Sequence, residues 1–286
     1  MGAQQILLNP TLIAGASTWA NIPAATAYPA GTQWRVTDIG SAGSIWVTDG
    51  TRWYPQNGNV TLLSSAIPMI LPSSGSIGNN GALSGLTALP VTYANCYLYF
   101  PADAIAAGVA AGLYYVVMSS TTAGTIYNNT YTGGLPAIPS SPTAFSTTGS
   151  GAYTQTTGAD ITLLSLTVPG GLMGLNGVLS ETKHHVYNNS AGFKYNKQIF
   201  GGTTFMVQAP TTTTGIRTNS FISNRGVSNA QVSQGSFSSG WFAGGVVTPL
   251  YGTVDTTSDK TYASTGQLAT ATDYLILNNF RLELVI

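Results

Sequence analysis

Short apolar segments separated by turn-forming residues run along most of the chain. Gly, Pro, Ser and Thr recur every few residues, and the apolar segments between them are rich in β-branched and aromatic residues, a composition typical of strands. The Ala-rich segment 103–111 is the main exception, because Pro101 before it and Gly112 after it predict a short helix. The pattern therefore predicts an all-β protein.

The spacing is most regular over residues 160–286. Strand-like segments alternate there with turn residues, at 161–168, 183–187, 194–200, 203–207, 216–224, 231–238, 252–255, 260–268 and 274–286. About eight short antiparallel strands in about 125 residues is the pattern of a β-sandwich or jelly roll. We predict a C-terminal jelly-roll domain over 160–286.

The N-terminal part, residues 1–64, is predicted to fold as a small separate module. Residues 43–55 form a β-hairpin pattern with Asp49-Gly50 at the turn. Four tryptophans lie within the first 53 residues, namely Trp19, Trp34, Trp46 and Trp53. Large aromatic side chains are an efficient way for a small module to bury enough area.

Residues 65–159 form a turn-rich β region between these two parts. Segments 97–100 and 113–118 predict strands, and the Pro- and Ser-rich segment 131–158 predicts a long loop or arm. The single cysteine, Cys96, cannot form an intrachain disulfide. It is predicted to lie buried in a strand of a chain that folds in a reducing cytosol.

Charge is nearly absent from long parts of the chain. Only Asp103 is charged between Trp53 and Ala159, and 6% of all residues are charged, against about a quarter in an ordinary globular domain. Such a surface gives little repulsion between neighbouring copies. We therefore predict an assembly component, most simply a homotrimer that buries the uncharged region between subunits.

Composition also excludes several classes of protein. An apolar fraction of 43% argues against disorder, and the net charge of zero with scattered Lys and Arg argues against nucleic-acid binding. The longest apolar run, 104–118, is too short for a membrane span. We predict neither membrane insertion nor a secretory signal.

Few residues suggest chemistry, and we predict no catalytic residue, cofactor or metal. Adjacent strand residues point to opposite faces, so His184 and His185 could not share one metal without a β-bulge. The Gly-rich segment 170–177 lacks the following helix that a phosphate loop needs, and it predicts a hairpin connection. The nine acidic residues include no recognisable catalytic pair.

Exposed aromatic residues could instead bind sugars by stacking. Trp241, flanked by Gly240 and Phe242, is the best single candidate, and Tyr251 follows it. The alternative is that Trp241 fills the core of the sandwich, since large aromatics dominate both cores and interfaces. Both interpretations remain open at this point.

Several segments resemble virion-associated proteins of tailed bacteriophages. Residues 31–40 and 44–53 resemble their N-terminal module. Similarity to segments of phage fibre and head-decoration proteins is found at 112–120, 170–177, 200–205 and the Asn224-Arg225-Gly226 step. The resemblance implies a trimeric β fibre or spike on head or tail, located in the virion and assembled in the host cytoplasm.

The resemblance also assigns roles to the parts. It implies that the module 1–64, with its four tryptophans, attaches to capsid or tail structural proteins, and that the jelly roll projects outward toward a host surface glycan. One alternative is a capsid cement or decoration protein without a receptor role. Another is a sugar-cleaving spike, a depolymerase, although the expectation is that the protein is not an enzyme.

Overall fold

The computed structural model describes residues 13–40, 43–145, 149–238, 244–246 and 249–286. Strands dominate this part of the chain, which confirms the predicted all-β class. Its helical segments are short 3-10 turns, at Trp19–Asn21, Ala25–Ala27, Asn79–Gly81 and Ala102–Ala107. The helix predicted over 103–111 is therefore a 3-10 segment that ends earlier than its composition suggested.

A small sheet forms the N-terminal part. Its strands, in spatial order, are β1 (Ile13–Ser17), β2 (Gln33–Val36), β3 (Ser44–Thr48) and β4 (Trp53–Pro55). The predicted hairpin is confirmed, since β3 and β4 pair with Thr48 opposite Trp53. Only Gly50 adopts a positive φ in the turn. Asp49 acts differently, because its carboxylate accepts hydrogen bonds from the Thr51 and Arg52 backbone N–H groups.

The middle of the chain contributes eight short strands. They are β5 (Asn59–Ser65), β6 (Met69–Leu71), β7 (Gly75–Ile77), β8 (Ala82–Ser84), β9 (Cys96–Phe100), β10 (Gly112–Met118), β11 (Gly124–Thr130) and β12 (Gly151–Tyr153). The predicted strands at 97–100 and 113–118 are confirmed as β9 and β10. Cys96 is fully buried in β9, as predicted, and burial raises the pKa of its thiol.

Ten strands follow in the C-terminal part. They are β13 (Ile161–Val168), β14 (Val178–Tyr187), β15 (Lys194–Phe200), β16 (Thr203–Gln208), β17 (Gly215–Asn224), β18 (Gln231–Ser238), β19 (Gly244–Val246), β20 (Leu250–Gly252), β21 (Lys260–Leu268) and β22 (Leu275–Val285). Eight of the nine predicted segments overlap these strands closely. The ninth, 252–255, is mostly irregular because β20 already ends at Gly252.

Two sheets are built from these eighteen strands. Within the described residues, the large sheet runs β12-β7-β8-β11-β10-β9-β6-β22-β14-β17-β18-β19, with β20 paired to β18 and β5 paired to β22. The second sheet has the order β13-β21-β15-β16. It packs against β14 and β22, where Tyr262 meets Phe280 and Asn196 bonds Tyr187. This arrangement confirms the predicted β-sandwich.

Strand β22 joins the parts of the chain that were predicted as separate. It pairs with β14 along one side and with β5 and β6 along the other. One sheet therefore contains strands from both sides of the predicted domain boundaries at 64/65 and 159/160. The division into domains at these boundaries stays a prediction.

The segment 170–177 differs from its prediction. It connects β13 in one sheet to β14 in the other, so it is not a hairpin connection. Leu172 and Met173 are buried, and the turn is fixed by hydrogen bonds such as Asn224 Nδ2 to Gly174 O at 2.6 Å. Leu172 and Met173 belong to the same buried cluster as Trp46 and Trp53 of the N-terminal sheet.

Two buried clusters hold the sheets together. One extends from Trp46 and Trp53 through the sandwich to Phe280. The other, which we call the apolar core, fills the region of β6 to β12 and is built from Ile, Leu, Val, Phe and Tyr side chains such as Leu98 and Ile126. Strand β22 contributes to both, since its alternate side chains face opposite sides.

Candidate functional surfaces

The four tryptophans predicted as the attachment module pack together inside it. Trp46 and Trp53 are buried, and the ring centroids of Trp19 and Trp46 lie 4.8 Å apart, those of Trp34 and Trp53 6.3 Å apart. The Trp53 indole N–H donates to Pro23 O at 2.7 Å. These side chains hold the module together, and its role in attachment stays a prediction.

The two predicted glycan contacts have different outcomes. Trp241 lies outside the described residues. Tyr251 lies on β20 with 66% of its surface exposed, and the Arg225 guanidinium sits 5.2 Å from its ring centroid. A solvent-exposed ring with a cation over one face is available for contact with a partner on its other side.

Tyr251 belongs to a broad surface that we call the outer face, the side of β5, β22, β14, β17, β18 and β20 turned away from the second sheet. Strand register places Tyr251 beside Val232, which lies beside Ser223. Phe221, 37% exposed, lies on the same face of β17. Phe221 lies two strands and two residues away from Tyr251, which corresponds to about 12 Å between their Cα atoms.

The rest of the outer face is polar, and its described charged residues are Arg217, Arg281 and Glu283. Thr182 donates to the Asn219 side chain at 3.0 Å, and Arg281 pairs with Glu283 at 2.7 Å. His184 stands opposite Arg217 on neighbouring strands. Burial and then the Arg217 charge lower the pKa of His184, so this imidazole is neutral at pH 7. The face offers hydrogen bonds, two aromatic rings and a small excess of positive charge from Arg217 and Arg225.

The acidic residues are all engaged in holding the fold. Each of the nine carboxylates accepts a backbone N–H or pairs with a lysine or arginine: Asp38 with Trp19, Asp49 with Arg52, Asp103 with Thr154, Asp160 with Lys197, Glu181 with Lys183, Asp255 with Thr257, Asp259 with Gly170, Asp273 with Lys194 and Glu283 with Arg281. In the described residues no group of three or more His, Cys, Asp or Glu gathers that could hold a metal.

The histidine pair divides between the two faces of β14, as its spacing predicts. His184 is on the outer face, whereas His185 is fully buried inside the sandwich. Neither ring nitrogen of His185 has a hydrogen-bond partner among the described residues. Burial, then Lys183 and His184, lowers the pKa of His185 well below its usual value, so the ring is neutral at pH 7.

His185 belongs to a buried polar cluster formed with Glu181 and Lys183 on β14 and Asn196 and Gln198 on β15. All five side chains are inaccessible to solvent. Lys183 Nζ lies 3.2 Å from Glu181 Oε1, and Asn196 donates to Tyr187. Burial lowers the pKa of Lys183, while Glu181 opposes that shift. The alternation of residues along β14 does not predict this cluster.

A cavity of about 480 Å³ lies between the N-terminal module and the turn at 170–177. Trp19, Trp53 and Arg52 line one side of it, and Met173 and Leu175 line the other. The Trp19 indole N–H donates to Gly170 O at 3.0 Å and so ties the two sides together. The cavity combines apolar walls with one cation.

Comparisons with known proteins give little help with identity. No protein-family model and no curated protein sequence matches the chain. It is weakly similar to a structure of infectious bursal disease virus, Gx strain, at 14% identity and a TM-score of 0.17, covering 87% of this chain and 72% of the viral one. A structure of the Gt strain gives 11% identity and a TM-score of 0.14, covering 88% and 74%.

Among the described residues, no helix is long and apolar enough to cross a membrane.

Proposed function

We propose that this protein is a structural component of a tailed-phage virion, a fibre or spike on head or tail that contacts the host surface. The N-terminal module attaches it to a capsid or tail protein, and the outer face of the large sheet is the contact surface. In this proposal the protein acts by binding and has no catalytic role.

The use of the acidic residues carries this proposal. Hydrolysis of a glycosidic bond needs two carboxylates placed across a sugar, and all nine in this chain already bind backbone N–H groups or cations. The cavities of about 480 and 340 Å³ bring no two of these carboxylates together, since no acidic side chain lines the first and only Asp160 lines the second. This distribution favours the structural role over the sugar-cleaving alternative.

The exposed rings and polar side chains of the outer face favour a polar partner such as a host glycan. Phe221 and Tyr251 offer flat rings for stacking, and the neighbouring Ser, Thr, Asn and Gln side chains offer donors and acceptors for hydroxyl groups. Weak contacts of this kind suffice when many copies act together.

Adsorption of particles to host cells tests the proposal. Particles carrying Phe221→Ala with Tyr251→Ala should adsorb about tenfold more slowly, because avidity amplifies a small loss per copy. Phe193→Ala is the matched control, since Phe193 is also an exposed aromatic but lies outside the outer face. Equal adsorption by the double variant and the control would remove host contact from this face.

A cement protein without a receptor role is the second candidate. Val91, Leu135 and Ile138 are large exposed apolar residues in the nearly uncharged region, and burial between neighbouring capsomers or subunits would cover them. Light scattering of the purified protein tests the trimeric fibre, which should give three times the chain mass. Particles whose capsids lose stability without the protein would favour cement.

A further inference from the structure

We propose that the cavity beside Trp19 and Trp53 is the socket by which this protein docks on its virion partner, and that it takes a partner segment with a large apolar side chain next to a carboxylate. This inference rests on the proposed function, because it names the surface and the partner chemistry of the attachment module.

The walls of the socket suit an apolar side chain. Its volume of about 480 Å³ falls within the roughly 300–1,000 Å³ of typical ligand-binding pockets. Trp19, Trp53 and Met173 contribute its apolar surface, and Leu175 stands exposed at its edge. Tryptophan and arginine are the residues that most often dominate binding energy at protein interfaces.

The charge of Arg52 favours an acidic residue next to the apolar side chain of the partner segment. Arg52 is exposed, and among the described residues its guanidinium makes no hydrogen bond or ion pair. No Asp or Glu side chain lines the cavity, and Ile286, the last residue of this sequence, lines it without an ion pair to Arg52. A guanidinium without an ion pair beside an apolar pocket is complementary to a carboxylate on the partner, which it can bind through two parallel hydrogen bonds.

The two sides of the socket are held at a fixed separation. The Asp49 carboxylate binds the Arg52 backbone N–H at 2.8 Å, which fixes the turn that presents the guanidinium. On the opposite side, the turn at 170–177 is anchored by Gly171 N–H to Thr256 O and by Gly226 N–H to Leu175 O. A preformed site of this kind loses little conformational entropy on binding.

The first test uses the full chain and two capped tripeptides, acetyl-Phe-Glu-Leu-amide and acetyl-Phe-Gln-Leu-amide. Binding is followed through the indole N–H resonances of ¹⁵N-labelled tryptophan. We expect the Glu peptide to shift the Trp19 and Trp53 resonances and to bind about tenfold more tightly than the Gln peptide. Arg52→Gln should abolish that difference. Equal affinities for wild type, or shifts confined to other tryptophans, would overturn the proposal.

The second test measures decoration of particles that lack the protein. Ala24→Phe fills the socket from an exposed lining position, and Arg52→Glu reverses its charge. Each should reduce decoration about tenfold or more. The matched controls are Ala27→Phe and Lys260→Glu, at residues that line neither the socket nor the outer face, and they should leave decoration unchanged. Normal decoration by both socket variants would overturn the proposal.

The two tests separate this inference from the proposed function. If wild-type protein decorates no phage particle but still prefers the Glu peptide through Arg52, the virion assignment fails and the socket chemistry stands. Two results point to other occupants and refute the inference. Dissociation of an oligomer by Ala24→Phe would assign the socket to a second copy of this chain, and phenylacetate binding as tightly as the Glu peptide would assign it to a small molecule.

Discussion

The apolar core and the buried polar cluster are equally inaccessible to solvent but differ in composition. The apolar core contains Leu98, Val116 and Ile126, all with no exposed surface. The polar cluster places Glu181, Lys183 and His185 at successive inward positions of β14, with the same lack of exposure. Depth of burial alone therefore does not indicate how a position stabilises this protein.

The difference lies in what each side chain leaves behind when it is removed. Removal of an apolar side chain leaves a cavity. The loss in the free energy of unfolding then depends on the lost contacts and on the volume of the cavity. A member of a buried ion pair leaves its partner charged and without solvent, which is costly even though the intact pair adds little net stability. The variants below test this difference.

The largest effect is expected from Glu181→Ala. Lys183 would remain fully buried without its carboxylate, and Ser220 would lose its acceptor at 2.9 Å. We expect a loss of about 4 kcal/mol in the free energy of unfolding, measured with urea. Glu283→Ala is the control, because its pair with Arg281 is partly exposed and should contribute less than about 1 kcal/mol.

A loss of about 3 kcal/mol is expected from Leu98→Ala in the apolar core, since Leu98 is fully buried on β9. The same denaturation experiment measures it. Leu98→Met preserves most of the volume and should cost less than about 1.5 kcal/mol. If the two variants lose the same stability, cavity formation is not the cause.

Acid should destabilise the polar cluster through His185. The pKa of His185 is lowered in the folded state, whereas in the unfolded state it has its usual value near 6.5. Below about pH 6.5 the unfolded state therefore binds more protons than the folded state. Stability should then fall as pH drops below about 6.5, by at most about 1.4 kcal/mol per pH unit. Thermal denaturation between pH 7 and about 4.5 measures the slope.

Two variants isolate the contribution of His185. The pKa of His184 is also lowered, so His184→Gln measures the part of the slope that comes from the outer face. The pKa values of Asp49 and Asp255 are lowered in the folded state, so their contribution to the slope begins only at the lower end of this window, where these carboxylates start to titrate in the unfolded state. A slope that is unchanged in His185→Gln would mean that the buried imidazole does not control acid stability.

The smallest effect is expected when the ion pair is replaced as a unit. Glu181→Leu combined with Lys183→Met removes both charges together and keeps similar volumes. The double variant should lie within about 1 kcal/mol of wild type or above it. Urea denaturation beside the two single variants completes a double-mutant cycle. A double variant as unstable as Glu181→Ala would show that the pair itself is strongly stabilising.

The strands of the C-terminal part could be predicted from the sequence because their signals are local. Segments such as 161–168, 194–200 and 260–268 coincide with β13, β15 and β21. β-branched and aromatic residues favour extended backbone, and Gly, Asn and Pro between the segments mark the turns. The turn at 49–52 could likewise be predicted from Asp49-Gly50.

The buried polar cluster could not be predicted in the same way. Glu181, Lys183 and His185 alternate along β14 as residues of a solvent-facing side usually do. Their burial depends on the second sheet, which covers that side with Asn196, Gln198 and Tyr262 from distant parts of the chain. The candidate surfaces depend on register in the same way, since Phe221 and Tyr251 share a face only through β18.

The position of β22 in the middle of the large sheet has a consequence for biosynthesis. It follows every other described strand in the chain, yet β5 and β6 reach β14 only through it. During translation the nascent chain must therefore hold two half-sheets with unpaired edges until residues 275–285 leave the ribosome. Closure then requires contacts of very high sequence separation, which slows folding. At high expression these edges invite pairing between nascent chains, so a lower expression level, with fewer nascent chains present at one time, should raise the fraction of correctly assembled protein.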